Sequence, residues 1–284
     1  MKKVNFNYLI DKFDCFIFDQ WGVLHDGKYK FSFVDKTLLN LKSKVSIILS
    51  NTSQNFDETI IQTLNKLNIN KKFFSKIVTS GDYLEYIAKS KEKKYLIFKN
   101  TLKKKKCFII SNGRKSRIVK NLGLKKAKLE NAKFILALSI KPNLNLDSLK
   151  IKLRKLKKKN LVMICTNPDI NVFDGKAKRF TYQVGTLGDY YSKIGGRVHY
   201  IGKPFKDIYQ HALKSLKIKK TKILMVGDSV ATDIKGAKNY GIKSALVIDG
   251  FKKNEFNKYK YKNINQVLRI LKPKPDYIIK NISI

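Results

Sequence analysis

The sequence has 284 residues, is 43% hydrophobic and is poor in proline and glycine, so it can form one large or two modest domains with a packed core. Its 61 basic and 21 acidic residues give a net charge of +40, but the lysines are spread along the chain without a nucleic-acid-binding motif, which disfavours nucleic acid as a partner. No apolar run reaches the ~18 residues of a membrane span, so we expect no membrane partner. Asp11 and Asp14 interrupt the apolar start of the chain, which argues against a signal peptide. The three cysteines are far apart in the sequence, so we expect reduced thiols in a cytoplasmic protein.

The first third of the chain alternates short apolar runs with amphipathic segments. Apolar runs at 15–18, 45–50 and 75–82 are bounded by turn signals and are typical of buried parallel strands. Helical spacing of apolar residues predicts helices over 33–43 and 55–69. This strand–helix alternation predicts the parallel sheet of an α/β protein.

The character of the chain changes from about residue 87, where apolar runs lie between lysine clusters. Strands are predicted over 133–138 and 160–165, with a helix over 147–160 between them. The lysine-covered face of this helix could lie on an anionic membrane, but we favour the exposed face of a helix in a small α/β domain. We therefore expect 87–190 to form a second domain, inserted between two parts of the first.

Those two parts are expected to be residues 1–86 and 191–284, because the alternating pattern resumes near residue 197. Strands are predicted over 197–204, 222–229, 243–249 and 275–284, and helices over 206–218 and 231–241, the last closed by Gly241. A lysine-rich helical region is expected between the last two strands.

Polar side chains recur at the ends of these predicted strands. They are Asp19, Ser50–Asn51, Lys203, and Asp228 with Asp233 shortly after it. Parallel strands end at one edge of a sheet, so such groups can converge. Converging carboxylates repel unless a cation joins them, and Mg²⁺ prefers oxygen ligands and often pairs with phosphate. Lysine and hydroxyl groups suit phosphate oxygens, and an aspartate can attack phosphorus, so these residue types favour phosphoryl transfer.

Four motifs in order carry a family resemblance. They are FIFDQWGVLHDG, ILSNTS, YIGKP and MVGDSVATD, accompanied by TSGD at 79–82 and TNPD at 166–169. The set resembles the haloacid dehalogenase-like (HAD) hydrolase superfamily, subfamily IIA, in the branch with Asp-x-Trp-Gly-Val in the first motif. The resemblance implies a Rossmann-like parallel-sheet core with an inserted C2-type α/β cap, and an enzyme that hydrolyses small phosphate esters.

The resemblance also implies a metal site. Asp19 would be the catalytic nucleophile and a Mg²⁺ ligand, and the backbone carbonyl of Trp21 would be a second ligand. Asp228 would be the third, with Asp233 bound directly or through water. A structural alternative stays open for Asp233, because an acidic residue in the first turn of a helix is favoured by the helix dipole.

The same resemblance implies a phosphate site. Ser50 and Asn51 would bind the phosphoryl oxygens, and Lys203 would neutralise both Asp19 and the phosphate. The residues alone leave alternatives open: Ser50 could cap the following turn, and Lys203 could be one surface lysine among many. TNPD and the stretch 185–191 are candidates for facing the site from the cap.

The first motif departs from the usual phosphatase pattern at Trp21. Typical members have a second aspartate there, which protonates the leaving group, and general acid catalysis is worth about 10²–10⁴-fold. Its loss predicts a slow enzyme or a substrate with a good leaving group. One hypothesis gives the acid role to His25 or Asp26. The favoured alternative is that Asp26-Gly27 forms a turn that His25 merely flanks.

The sequence thus predicts a Mg²⁺-dependent phosphohydrolase that acts on a small phosphorylated metabolite through an aspartyl-phosphate. The alternative is a different class of protein. It would have this fold but little or no catalytic activity, and would act by binding a phosphorylated metabolite or as a regulatory protein. A third reading, nucleic-acid binding through the basic surface, would show steeply salt-dependent affinity. A homo-oligomer is left open.

Overall fold

The structure, a computed structural model, describes residues 1–113, 116–141, 144–174, 178–254 and 263–284. Its strands are β1 (Lys2–Lys3), β2 (Cys15–Phe18), β3 (Val45–Ser50), β4 (Lys76–Thr79), β5 (Lys106–Ile110), β6 (Lys125–Lys126), β7 (Phe134–Ala137), β8 (Met163–Cys165), β9 (Asn171–Asp174), β10 (Arg179–Tyr182), β11 (Val198–Tyr200), β12 (Ile223–Gly227), β13 (Lys243–Val247) and β14 (Tyr277–Ile279).

The helices lie between these strands, several of them in the segments where the sequence predicts helices. The α-helices are α1 (Phe6–Ile10), α2 (Val34–Asn40), α3 (Phe56–Thr59), α4 (Ser80–Lys89), α5 (Leu96–Lys103), α6 (Arg117–Asn121), α7 (Leu146–Lys158), α8 (Gly185–Lys193), α9 (Lys206–Leu213), α10 (Lys235–Tyr240), α11 (Ile248–Asn254) and α12 (Ile264–Ile270). Short 3-10 helices cover Lys71–Phe73, Lys93–Tyr95 and Lys220–Lys222, and π-helical turns cover Ile60–Leu64 and Val230–Ile234.

The first sheet has seven parallel strands in the order β1-β14-β13-β12-β2-β3-β4. The order reverses at β2, which β12 and β3 flank, so β2 lies at the centre where an open α/β sheet places its ligand crevice. The predicted Rossmann-like α/β core is confirmed. Residues 255–262 of the lysine-rich region lie outside the described residues.

A second parallel sheet has the order β11-β8-β7-β5-β6, and β9 and β10 form an antiparallel hairpin. The prediction that the strand at 197–204 belongs to the first sheet was wrong, because Val198–Tyr200 pairs with Met163–Cys165. The second sheet thus continues past the predicted edge at 190, which falls inside α8, while the edge at 86 falls inside α4.

Alternate residues of the central strand enter two different cores, as the period of a strand requires. Cys15 and Ile17 join a cluster that also contains residues of the second sheet, whereas Phe16 and Phe18 pack on the opposite face. The first cluster therefore connects the two sheets. All three cysteines are buried, and burial raises the pKa of each thiol to about 12, consistent with the expectation of reduced thiols.

Helix α7 contains most of the lysine-rich segment at 147–160 and packs on the second sheet. Leu149, Leu153 and Leu156 are buried in a further apolar cluster, on the face of the second sheet opposite to the first cluster. The favoured interpretation, an amphipathic helix on the surface of an α/β domain, is confirmed. In the described part of the chain, no helix has both the length and the hydropathy needed to cross a membrane.

The segment at 55–69 and the end of the strand at 75–82 differ from prediction in detail. The first becomes α3 followed by a π-helical turn, and Asn55 caps α3 in a reciprocal pair with Glu58. The strand ends at Thr79, and the remaining residues begin α4, whose capping pair is Thr79 with Asp82. Capping side chains thus override the strand pattern.

We expect Leu153→Ala to lower the free energy of unfolding by about 2–5 kcal/mol, because it leaves a cavity under α7. Ile151 lies on the same helix with 51% of its surface exposed, so Ile151→Ala is the matched control and should change stability little. Urea denaturation followed by circular dichroism measures both. Equal losses in the two variants would contradict the packing described for α7.

Candidate active site

Three neighbouring strands deliver polar residues to one edge of the first sheet. Asp19 follows β2, Ser50 ends β3, and Asp228 follows β12. Since β12 and β3 flank β2 in parallel, the carboxyl ends of these strands lie side by side. The convergence that the sequence predicts is therefore present in the fold.

Asp19, Asp228 and Asp233 form a compact carboxylate cluster, in which one oxygen of each lies within 4.8 Å of the others. Asp233 reaches the strand end from the π-helical turn Val230–Ile234, and the Ser229 N–H donates to its Oδ2 at 3.1 Å. Gly227 makes room for it, because a Cβ at Gly227 would lie 2.2 Å from the Asp233 carboxyl carbon.

Lys203 closes this cluster from one side. Its Nζ lies 2.7 Å from Asp19 Oδ1 and 2.7 Å from Asp233 Oδ1, and only 1% of its side chain is exposed. Burial alone would lower the pKa of Lys203, but the two carboxylates outweigh it and raise the pKa above its ordinary value. Lys203 is therefore a buried ammonium and not one surface lysine among many.

The ammonium also affects Asp233. Burial raises the pKa of the Asp233 carboxyl, and Lys203 opposes that rise only in part, since Asp19 adds a like charge. Asp19 differs from its neighbours in access: 14% of its side chain is exposed, whereas Asp228 and Asp233 are buried.

Asn51 holds the backbone of Lys203 through a reciprocal pair of hydrogen bonds. The Lys203 N–H donates to Asn51 Oδ1 at 2.7 Å, and Asn51 Nδ2 donates to the Lys203 carbonyl at 3.1 Å. Gly202 has φ +125, and a Cβ there would lie 2.4 Å from Asn51 Oδ1, so only glycine allows this approach. The loop after β3 thereby fixes the position of the lysine.

Asn51 also contacts the loop that follows β8. Its Nδ2 donates to Asp169 Oδ1 at 2.9 Å, which brings TNPD at 166–169 to the site. Gly185 at the start of α8 packs against this loop, where a Cβ would lie 2.3 Å from the carbonyl oxygens of Pro168 and Asp169. The stretch 185–191 therefore packs against the TNPD loop through Gly185.

Ser50 ends β3 and Trp21 follows β2, each close in sequence to a residue of this centre. Ser50 is buried, and its Oγ accepts a long hydrogen bond from the Thr52 N–H at 3.4 Å, which also fits the turn-capping alternative. Trp21 lies in the loop after Asp19, with its ring centroid 5.4 Å from that of His25.

His25 does not have the environment of a catalytic acid. It is 2% exposed, and burial lowers its pKa to about 4 in spite of Asp19 and Asp26. Asp26 caps the turn, since its Oδ1 accepts from the N–H groups of Lys28 and Tyr29. The turn interpretation of Asp26-Gly27 is confirmed, and the acid hypothesis for this pair finds no support in the geometry.

The donor set fits a hard divalent cation. Three carboxylates converge without any nitrogen or sulfur donor among them, and Lys203 neutralises only one of their charges. Oxygen-only sites of this kind are the sites that Mg²⁺ prefers. Gly250 brings another backbone element close, since a Cβ there would lie 2.6 Å from the Asp228 Cβ.

Fold and site together define a parallel α/β protein with a carboxylate–lysine centre at its strand ends. The chain matches the haloacid dehalogenase-like hydrolase family over residues 13–241, so it belongs to that family. A second family model, described as HAD-hydrolase-like, matches residues 200–283.

Individual proteins are similar to the chain in sequence or in fold. An acid sugar phosphatase of Staphylococcus haemolyticus is 25% identical over 229 residues, which are 77% of this chain and 81% of the relative. A HAD-like hydrolase from Brucella suis shares the fold with a TM-score of 0.81, 23% identity and full coverage of both chains. A 4-nitrophenylphosphatase from Thermotoga maritima has a TM-score of 0.68 and 22% identity, covering 97% of each chain.

Glycines in the site are the residues that sequence reasoning missed. Gly227 lies against Asp233 and Gly250 lies against Asp228, so closely that neither position has room for a side chain. Both follow or end predicted apolar strands, and a glycine at a strand's carboxyl end signals close approach of another group. Ser80, which belongs to the TSGD motif, also lies here, with its Oγ beside Gly202.

We expect Asn51→Ala to destabilise the protein by ~1–3 kcal/mol, because the buried N–H of Lys203 loses its acceptor. The matched control is Asn40→Ala, since Asn40 is exposed and only donates to the Lys36 carbonyl. Denaturant unfolding compares the two variants. Stability of Asn51→Ala equal to that of Asn40→Ala would contradict the role assigned to this contact.

Removal of one cluster carboxylate should weaken Mg²⁺ binding measured by titration calorimetry. We expect Asp228→Asn to lose affinity by at least about tenfold, since even outer partners of a metal are worth about 10–100-fold. Asp207→Asn removes the same charge from an exposed position on α9 and should bind Mg²⁺ like the wild type. Identical affinities in all three proteins would exclude the cluster as the metal site.

Proposed function

We propose that the protein is a Mg²⁺-dependent phosphohydrolase that acts on a small phosphorylated metabolite through an aspartyl-phosphate on Asp19. The observation that carries the proposal is the buried Lys203 ammonium, 2.7 Å from both Asp19 and Asp233 at the edge of the sheet. One cation among three carboxylates leaves net negative charge that a divalent metal would offset, and the metal together with Lys203 would attract a phosphate. The named activity of the Staphylococcus relative, a sugar phosphatase, supports the same chemistry.

Asp19 is the proposed nucleophile because it is the accessible member of the cluster. Its side chain is 14% exposed, while the other two carboxylates are buried and suited to hold a metal. Lys203 pairs with Asp19 and would draw a phosphate oxygen towards the attacking carboxylate. The Asp19 oxygen would form the bond to phosphorus, and the substrate oxygen would leave.

The metal site consists of Asp19, Asp228, Asp233 and the backbone carbonyl of Trp21. Bound Mg²⁺ would offset the negative charge of the phosphoryl group as the nucleophile approaches. Asp233 is included in this set because it contacts Lys203 and the Ser229 N–H at the cluster. Its position in the first turn of a helix is compatible with this role.

Ser50 is the proposed hydroxyl donor to the phosphoryl oxygens. Asn51 has a different role from the one predicted. Both hydrogens of its amide nitrogen are used by Asp169 and by the Lys203 carbonyl, and its oxygen is used by the Lys203 N–H. We therefore assign Asn51 to positioning Lys203 and not to direct phosphate contact.

The second sheet is the proposed cap. It holds the TNPD loop against Asn51, so a substrate in the site would meet groups from both sheets. The division at 1–86, 87–190 and 191–284 becomes, in this proposal, a cap that also includes β11. A cytoplasmic location stays a prediction.

The test is hydrolysis of p-nitrophenyl phosphate with and without Mg²⁺. We expect Mg²⁺-dependent turnover that Asp19→Asn reduces by ~10³-fold or more, because removal of a nucleophile leaves only binding and electrostatic effects. Asp207→Asn is the control for the loss of one negative charge and should match the wild type. Turnover equal in wild type and Asp19→Asn would contradict the proposal.

A second candidate function rests on Trp21, which stands where typical phosphatases have their acid. A protein that binds a phosphorylated metabolite without turnover would bind inorganic phosphate only with Mg²⁺ present. It would show no hydrolysis in any variant. Calorimetric titration of phosphate, with and without Mg²⁺, separates this candidate from the enzyme.

A further inference from the structure

The loop after Asp19 is built around the Trp21 indole. The six-membered ring lies on Gly27, where an added Cβ would be 2.2 Å from Cη2 and 2.4 Å from Cζ2. Gly27 has φ +88, so the absence of a side chain serves both the turn and the ring. His25 packs edge-on against the same ring at 5.4 Å and 70°. The indole is therefore an integral part of this loop.

The two polar neighbours of Trp21 are used to hold the turn. His25 Nδ1 accepts from the Gly27 N–H at 3.0 Å, and the ring is buried. Asp26 Oδ1 accepts from two backbone N–H groups, at 2.9 and 2.8 Å. A donor for the leaving group must reach the substrate. His25 Nε2 has no hydrogen-bond partner among the described residues, but it is buried and the ring packs on Trp21, while Asp26 is anchored to the backbone.

The other carboxylates around Asp19 are engaged as well. Asp228 and Asp233 belong to the cluster, and Asp233 is paired with Lys203. Asp169 accepts the amide of Asn51, on the cap side of the centre. Within the described ranges, each carboxylate named around the centre thus already has a structural partner.

We propose, resting on the function proposed above, that the natural substrate is a phosphate compound whose leaving oxygen departs as a weakly basic anion, either the carboxylate of an acyl phosphate or the anion of an acidic phenol in an aryl phosphate. Alkyl phosphates, including most sugar phosphates, would be poor substrates, because an alkoxide must be protonated as it leaves. Among the residues that the structure describes, the site has a nucleophile and electrostatic groups, and each carboxylate considered above as a proton donor is held in another contact.

The chemistry balances without an acid. An Asp19 oxygen bonds to phosphorus, the bond from phosphorus to the substrate oxygen breaks, and that oxygen takes the electron pair and leaves as an anion. Water then bonds to phosphorus, the Asp19 carboxylate departs as an equally weak base, and the water proton passes to phosphate and solvent. Phosphoryl transfer has a loose transition state with charge on the leaving oxygen, so the basicity of that oxygen governs the rate.

The experiment compares kcat/KM for acetyl, p-nitrophenyl, phenyl and ethyl phosphate. Phenol has a pKa of about 10, like tyrosine, and nitrophenol is more acidic. We expect a fall of ~10²–10⁴-fold from p-nitrophenyl to phenyl phosphate, the amount an acid would offset, and a further fall for ethyl phosphate. The faster of the acetyl and p-nitrophenyl compounds identifies the carboxylate or phenolate class.

Two variants of Trp21 provide the matched pair. Trp21→Phe keeps an aromatic ring on Gly27, so kcat/KM should still depend steeply on the basicity of the leaving group. Trp21→Asp places a proton donor at this position. It should weaken that dependence by raising kcat/KM for phenyl and ethyl phosphate relative to p-nitrophenyl phosphate. Circular dichroism establishes that both variants are folded, and the wild-type series decides the question even if one is not.

A shallow wild-type series overturns the inference while leaving the phosphatase intact. If that shallow series becomes steep in Asp169→Asn, the cap aspartate is the acid and the inference is equally overturned. Absence of Asp19-dependent turnover with all four compounds removes the proposed function itself. A steep series kept by Trp21→Phe and flattened by Trp21→Asp establishes the inference.

Discussion

The buried ion pairs of Lys203 are the constraint on which the site depends. An ammonium that is 1% exposed is tolerated only because two carboxylates lie 2.7 Å from it, and those carboxylates are tolerated near Asp228 only because the ammonium is there. Removal of either partner would leave an uncompensated buried charge. The strands and loops that bring these groups together are therefore bound to one another by electrostatics as well as by packing.

Hydrogen bonds extend this constraint to both sheets. Asn51 holds the backbone of Lys203 and also the Asp169 carboxylate, so one amide joins a loop of the first sheet to a loop of the second. Below them, an apolar cluster contains residues from both sheets. A substrate pocket formed between the sheets would thus have a floor fixed by packing and walls fixed by polar contacts.

Much of this arrangement could be predicted because it is encoded locally. Apolar runs ending in Asp19 and Asp228 indicate buried strands, and parallel strands must end at one edge. Other features depend on distant partners. The three-residue strand Val198–Tyr200 has few side chains to specify which sheet it joins, and the partner of Asn51 lies 152 positions away. The steric need for Gly227 appears only once Asp233 is in place.

The π-helical turn Val230–Ile234 has a consequence for how this site tolerates change in length. A π turn contains one residue more than an α turn, and such turns are often found at functional sites. Here the wider turn carries Asp233 back over the strand end. Each residue advances an α-helix by about 100°, so deletion of one residue would rotate Asp233 away from Lys203 even though every residue type of the site was kept. The spacing between Asp228 and Asp233 is therefore as much a part of the site as the residues themselves.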